Sequence, residues 1–392
     1  MGTISMSAGD APPGRGEAPP ATAGTPPNTG GTPQKATGRP TATDNPDAAT
    51  DSPAAAPHPR VGTAVRSLGL LLACGLLLLV TVLSIAVGAK AIPPLDVLHA
   101  LLHGRSTVDG SVVLDLRLPR TLFGIAVGAA LALAGVLMQA LTRNPLADPG
   151  LLGVNMGASA AVVTAIALWG STDPAFYVWF ALAGSGAAAG IVYLLGARGR
   201  TGPAPVRLAL AGTAVSAVLG ALVSVVTLLR PDVFDQFRFW GVGSLAGLPL
   251  SVLTTVAPFL VAGALLALAL SGPLNALALG DDTARALGTG VLRTRLLGTL
   301  AVTLLCGAAT AAVGPIAFVG LVVPHVARAV TGPDHRWLLP YSMVVGATLL
   351  LASDILGRVV ARPGEIQAGI VTAFAGAPVF IALVRCRRIA EL

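Results

Sequence analysis

Lysine is nearly absent from this sequence. Only Lys35 and Lys90 occur among its 392 residues, and neither lies in a GxxxxGK motif. The chain therefore has no P-loop and is not expected to bind ATP in the usual way by itself. Charge of either sign is scarce: 11% of residues are charged, against about 25% in soluble domains. Cys74 and Cys306 fall in apolar runs and Cys386 in the tail, so no disulfide framework or Cys-rich metal motif is readable. Acidic side chains are missing from the interiors of the expected spans, with Asp354 and Glu365 placed at their outer edge. Ion-driven carriers usually hold an intramembrane carboxylate, so this lack counts against proton coupling, while a sodium site of carbonyls and hydroxyls stays open. The net charge of +7 is modest and its arginines are spread over many loops, which favours membrane-surface contacts over nucleic acid.

What is present is apolar: 54% of the chain is hydrophobic, in long runs rather than short alternating strands. This is the pattern of an all-α integral membrane protein with about ten spans of roughly 20 residues. They are expected at Ser67–Gly88, Thr121–Leu141, Leu152–Trp169, Phe176–Leu195, Val206–Leu229, Leu250–Leu270, Leu296–Val313, Ile316–Val330, Trp337–Leu351 and Ile366–Val384. Gly314-Pro315, Gly320 and Pro324 should bend or break the eighth. Residues 1–62 are rich in Pro, Thr, Ala, Gly and Asp and cannot bury a core, so a disordered cytoplasmic extension is expected, without the h-region of a signal peptide. Residues 63–392 form the membrane domain. Arg60 and Arg66 before the first span, and Arg385, Arg387 and Arg388 after the last, place both termini in the cytoplasm. The spans on either side of the sixth run in opposite directions, and Gly128–Pro149 and Ala308–Pro324 read alike, which motivates an inverted repeat as a hypothesis.

One polar stretch, Ser271–Arg295, divides the apolar blocks and should lie in the cytoplasm with Arg285, Arg293 and Arg295. Asp281 is expected as a helix N-cap, with Asp282 in the first turn and Arg285 placed to pair with Asp281. Gly288 should close that helix in a left-handed conformation, and Gly290 permits a bend into a second short helix from Val291. The result is a rigid knob on an aqueous face; an ordinary loop is the competing reading. Arg117 and Arg120, with Arg358 and Arg362, fall outside, where the charge rule disfavours them. Either they pair with Asp115 and Glu365, or they meet an acidic partner. His99 and His103 share a helix face in the outer segment; an exposed loop helix is preferred there to metal ligation, and no metal site is expected.

Several motifs together carry a resemblance. They are Arg117-Leu118-Pro119-Arg120; Gly128-Ala129-Ala130 with Gly135 and Gln139; and Arg143-Asn144-Pro145-Leu146-Ala147-Asp148-Pro149-Gly150. Trp240 with Gly243-Ser244-Leu245, Leu279-Gly280-Asp281 with Ala284 and Leu287-Gly288, and Gly314-Pro315 through Pro324-His325 with Arg328 follow. Asp334-His335-Arg336, Asp354, Arg358 and Gly376-Ala377-Pro378 complete the set. Over about residues 67–388 the chain resembles FecCD-type ABC importer permeases, which carry ferric siderophores, haem or cobalamin. It departs at Glu365-Ile366-Gln367-Ala368-Gly369, where the family usually has proline at the third place, and at Ala317, where glycine is common.

The resemblance implies a type II ABC importer permease fold, working as a homodimer or with a similar second permease, on a cytoplasmic ATPase dimer. It implies no cofactor on this chain and no catalysis by it, and a bacterial cytoplasmic membrane as its site. Leu279, Gly280, Asp281, Ala284, Arg285, Leu287 and Gly288 match the family's coupling segment. Arg117, Arg120 and Arg358 match positions that meet an extracellular or periplasmic substrate-binding protein. Asn144, Pro145, Gly314, Pro315 and Pro324 are the expected translocation and gating positions. Ferric siderophore is the expected cargo, with haem and cobalamin as alternatives. The rival functions are an ion-coupled secondary transporter needing no ATPase, and a membrane receptor that does not transport.

Overall fold

The computed structural model describes residues 62–88, 92–104, 108–171, 173–197 and 205–385. Most of the N-terminal extension, Lys90, Arg198, Arg200 and the arginines after Arg385 lie outside the described residues. Fifteen α-helices follow in order among the described residues. They are α1 (Thr63–Ala86), α2 (Pro94–His103), α3 (Val108–Ser111), α4 (Leu118–Thr142), α5 (Val154–Trp169), α6 (Pro174–Ala197), α7 (Pro205–Leu229), α8 (Pro231–Gly241), α9 (Leu250–Ala269), α10 (Ser271–Ala278), α11 (Asp281–Ala286), α12 (Val291–Val313), α13 (Val319–Thr331), α14 (His335–Val360) and α15 (Ala368–Arg385). A π-helical turn, Val112–Arg117, leads into α4, and a 3₁₀ turn, Pro149–Leu152, leads into α5. Every expected span coincides with a helix. Seven segments are long and apolar enough to cross a membrane, and α5, α13 and the apolar part of α15 are shorter apolar helices.

α4 is the central post. It packs against α14, α12 and α13, while α5, α6 and α7 form a second row and α1 lies on α14. Of the apolar core of its segment 78% is buried, against 6% for α7. Glycine makes the post fit. A Cβ on Gly128 would strike the backbone of Gly346 in α14, and one on Gly135 would overlap the Gly320 carbonyl in α13. Because lipid tails are as apolar as leucine, such close backbone approach, rather than exclusion of water, is what draws these helices together.

Three boundaries differ from the sequence reading. α14 runs to Val360 rather than stopping near Leu351, so Asp354 lies inside a helix and is fully buried. α12 is continuous from Val291, so the two short helices of the knob are α10 and α11. The interruption of the eighth span falls at Gly314–Phe318, ahead of α13, and Pro324 sits within α13 without ending it. Its missing N–H would have served the Gly320 carbonyl, which lies instead against Gly135.

Gly135→Val forces side-chain atoms against the backbone of α13 and should destabilise the bundle by about 1–3 kcal/mol. Gly75→Ala, at a position with nothing within 4 Å of the added carbon, should leave stability unchanged. Thermal unfolding of the detergent-solubilised protein distinguishes the two outcomes.

Candidate functional sites at the two ends of the bundle

α4 carries Arg120 at its start and Arg143 just past its end. At a rise of about 1.5 Å per residue these lie more than 30 Å apart. Each arginine anchors one polar cluster.

The cluster at the Arg143 end holds the knob. Gly280, at a φ of 106° that suits only glycine, occupies the N-cap position, and Asp281 is the first residue of α11. Asp281 is thus not the cap expected from sequence. Its carboxylate turns inward and is shared: Arg143 donates to it through Nη2, and Arg295 of α12 donates to both oxygens at 3.0 Å. Arg143 also donates from Nε to the Leu277 carbonyl at 3.1 Å. One half-buried carboxylate therefore ties α4, α11 and α12 together. Arg285 pairs instead with the exposed Asp282, at 2.7 Å, because the three-residue spacing points both outward. The C-terminus of α11 closes as expected at Gly288 (φ 78°): Thr289 N–H bonds the Ala284 carbonyl and Gly288 N–H the Arg285 carbonyl. Ala284 is buried, while Leu279 and Leu287 are more than 60% exposed and give the knob an apolar outer face.

A second joint links α10 to α14. Asn275 donates to Asp334 at 2.7 Å and accepts from the His335 backbone at 2.9 Å, and Asp334 caps α14 through the Arg336 N–H. Burial raises the Asp334 carboxyl, but the Arg336 N–H, the Asn275 amide and the Arg336 and Arg66 cations outweigh it and hold the group below its ordinary value. In the neighbouring turn, Asn144 accepts from Leu146 N–H and Asp148 accepts from Gly150 N–H. Burial pushes Asp148 up, partly offset by that N–H.

The opposite end gathers Arg117, Arg120 and Arg358. The sequence left them either pairing with Asp115 and Glu365 or meeting an acidic partner. Arg120 does pair with Glu365, and all three are buried, at 9% exposure or less. The cause is α1, whose last carbonyls have no partner within the helix. Arg117 donates to Ile85 and Ala86 at 2.8 and 2.7 Å, Arg358 to Ser84 and Val87 at 2.9 Å, and Arg362 to Gly88 at 2.8 Å. Asp354 neutralises the cluster, receiving Arg120 at 2.8–3.0 Å and Arg358 at 3.0 Å. Arg120 reaches Glu365, 36% exposed, at 2.6 Å. A cavity of about 300 Å³ opens here beside Gly247, lined by all three arginines and Glu365. Arg117, Arg120, Arg358 and Glu365 are the charged side chains of that lining.

The expected gating residues are not gathered at one place. Asn144 and Pro145 lie in the turn after α4, Gly314 and Pro315 at the far end of α12, and Pro324 within α13. Sequence reasoning gave Arg143, Asn275 and Arg295 no part in the coupling set. Arg143 and Asp281 are 138 residues apart, and no local pattern announces such a pair.

Known proteins place these features. Residues 76–386 match the FecCD transport family. The chain is 53% identical over 326 residues to the ferric enterobactin transport system permease protein FepD of Escherichia coli K12, covering 83% of this chain and 96% of that protein. It is 39% identical over 318 residues to the hemin transport system permease protein HmuU of Yersinia pestis, covering 79% and 95%. A solved metal-chelate type ABC transporter in an inward-facing conformation superposes with a TM-score of 0.71 at 30% identity, over 82% of this chain and 99% of that one. With the ten apolar helices in place and the family match running nearly from end to end of the membrane domain, the chain belongs to the FecCD transport family of ABC importer permeases.

Proposed function

We propose that this chain moves a ferric siderophore across the bacterial cytoplasmic membrane, driven by ATP hydrolysis on a separate cytoplasmic ATPase dimer. The cargo class rests on the 53% identity to a ferric enterobactin permease; haem and cobalamin are the competing cargoes. In this reading both termini and the knob face the cytoplasm, and the Arg117–Arg120–Arg358 cavity faces outward. The chain carries no cofactor and no catalytic residue of its own. The almost wholly exposed α7 supports a second permease copy or a similar chain as the neighbour in the membrane.

The mechanism rests on the bridging of Asp281 by Arg143 and Arg295. The ATPase grips the knob by Leu279, Leu287 and the turn closed by Gly288, with Gly280, Ala284 and Arg285 shaping the grip. Closure of the ATPase dimer displaces α11. Asp281 passes that displacement to α4 and α12 together, and the breaks at Asn144-Pro145 and Gly314-Pro315, with Pro324 in α13, let the spans rearrange. On the outer side a carboxylate of the binding protein enters the arginine-lined cavity and competes with Glu365 for Arg120.

Asp354 gives the ion-coupled rival a specific observation in its favour, since it is a buried carboxylate inside a span. Its charge is already taken up by Arg120 and Arg358. A carboxylate held between two buried arginines serves as their counterion, which favours the ATP-driven reading.

Asp281→Ala should leave insertion intact and cut substrate-stimulated ATP hydrolysis by the reconstituted importer by about tenfold, within the usual range of coupling energies. Unchanged stimulation would remove Asp281 from the coupling path. Asp354→Asn removes the buried carboxylate that Arg358 pairs with and leaves Arg120 only Glu365, and should cost about 3–5 kcal/mol in thermal unfolding. Glu365→Gln at the cavity mouth should cost under about 1 kcal/mol and strengthen association with the cognate binding protein. Weaker association in that variant would mean that Glu365 holds Arg120 in place rather than competing with the partner.

A further inference from the structure

α2 packs beside the turn that carries Arg117, but its two histidines take no part in either cluster or in the proposed transport mechanism. Val97 and Ala100 fix its apolar side against Val113, just ahead of the Arg117 end of the bundle. His99 and His103 stand exposed, one helical turn apart. Their rings are stacked, with centroids 4.1 Å apart and planes 15° from parallel. His103 Nδ1 lies 3.3 Å from the His99 carbonyl. A carbonyl only accepts, so Nδ1 carries the proton and Nε2 keeps its lone pair toward solvent. A metal-binding imidazole needs that tautomer, fixed by a bond from its other nitrogen.

We propose that His99 and His103 form a site for a divalent transition-metal ion of the zinc, nickel or copper class. Paired histidines four apart on one helix face present two nitrogens to a common point. Zinc–nitrogen bonds of about 2.0–2.1 Å require the in-plane lone pairs of the two rings to converge, so both side chains turn out of the near-parallel stack when the ion binds. His103 is the last residue of α2, where the free carbonyls of the helix end favour a cation. No group of three or more His, Cys, Asp or Glu side chains able to hold a metal occurs among the described residues. With both histidines exposed, water can complete the coordination, and the site is an open, exchangeable one. It differs in chemistry from a ferric cargo, whose coordination sphere is filled by its chelator. The inference does not depend on the transport reading.

The test is calorimetric titration of the untagged, detergent-solubilised full chain with zinc alone. One equivalent should bind, and His99→Ala or His103→Ala should each weaken it roughly tenfold or more. Hydrogen exchange supplies the second readout: zinc should slow the amides of α2 in the wild type and not in the His103→Ala variant, since a bridge across one turn holds the helix closed. The absence of zinc binding by the wild type would overturn the proposal. So would equal binding by the double variant, which would assign the ion to another histidine.

Discussion

In a hydrocarbon environment a backbone carbonyl without a donor costs several kcal/mol, and the Arg117 end of this structure follows from one instance of that cost. α1 ends with Ser84, Ile85, Ala86 and Val87 unpaired within the helix. Arg117 and Arg358 supply the donors for these carbonyls, and Arg362 serves Gly88 just beyond. Burying those guanidinium groups then demands an anion at the same depth. Asp354 provides it, and α14 must run on to Val360 to carry Asp354 and Arg358 on one face. The interruption ahead of α13 obeys the same rule: Ser244 N–H serves the Val313 carbonyl, and Gly369 N–H serves Gly243.

The two polar ends act on shared helices. α4 bears Arg120 and Arg143, while α14 bears the Asp334 and His335 joint at one end and Asp354 with Arg358 at the other. Between them both helices are packed backbone to backbone at Gly128 and Gly346. Close backbone contact at Gly128 and Gly346, with Leu351 seated on Gly124, locks the two helices together along their length. This is the physical network through which a knob outside the membrane domain can act on residues a full span away.

Much of this was legible in the amino-acid order, for reasons that differ by residue. The apolar runs located every membrane helix because length and hydropathy are local properties. Gly288 was readable as a helix stop because only glycine adopts that φ without strain. Asp354 was misplaced because the hydropathy of α14 falls near its end, where charged residues enter, although the helix continues. For Arg117, Arg120 and Arg358 the pairing with Glu365 was legible, but nothing near them in sequence reveals Asp354 or the end of α1 that Arg117 and Arg358 serve. Asp281 was identified as important but given the wrong bond: its neighbour Arg285 was the visible candidate, and Arg143 was not. Partners distant in sequence decided each case that was missed.

The two clusters also differ in a way that assigns them different work. Asp354 is fully buried between Arg120 and Arg358, whereas Asp281, Arg143 and Arg295 each retain 21–35% of their side-chain exposure. Interactions between exposed charges are screened by water and salt, and those between buried charges much less so. The Asp354 cluster is therefore a fixed clamp: opening it would leave charge unpaired in a dry site. The Asp281 bridge can loosen and re-form at modest cost because water replaces each lost partner. In the proposed transport cycle an adjustable joint belongs where water can reach it, which fits a moving knob end and a held Arg120 end.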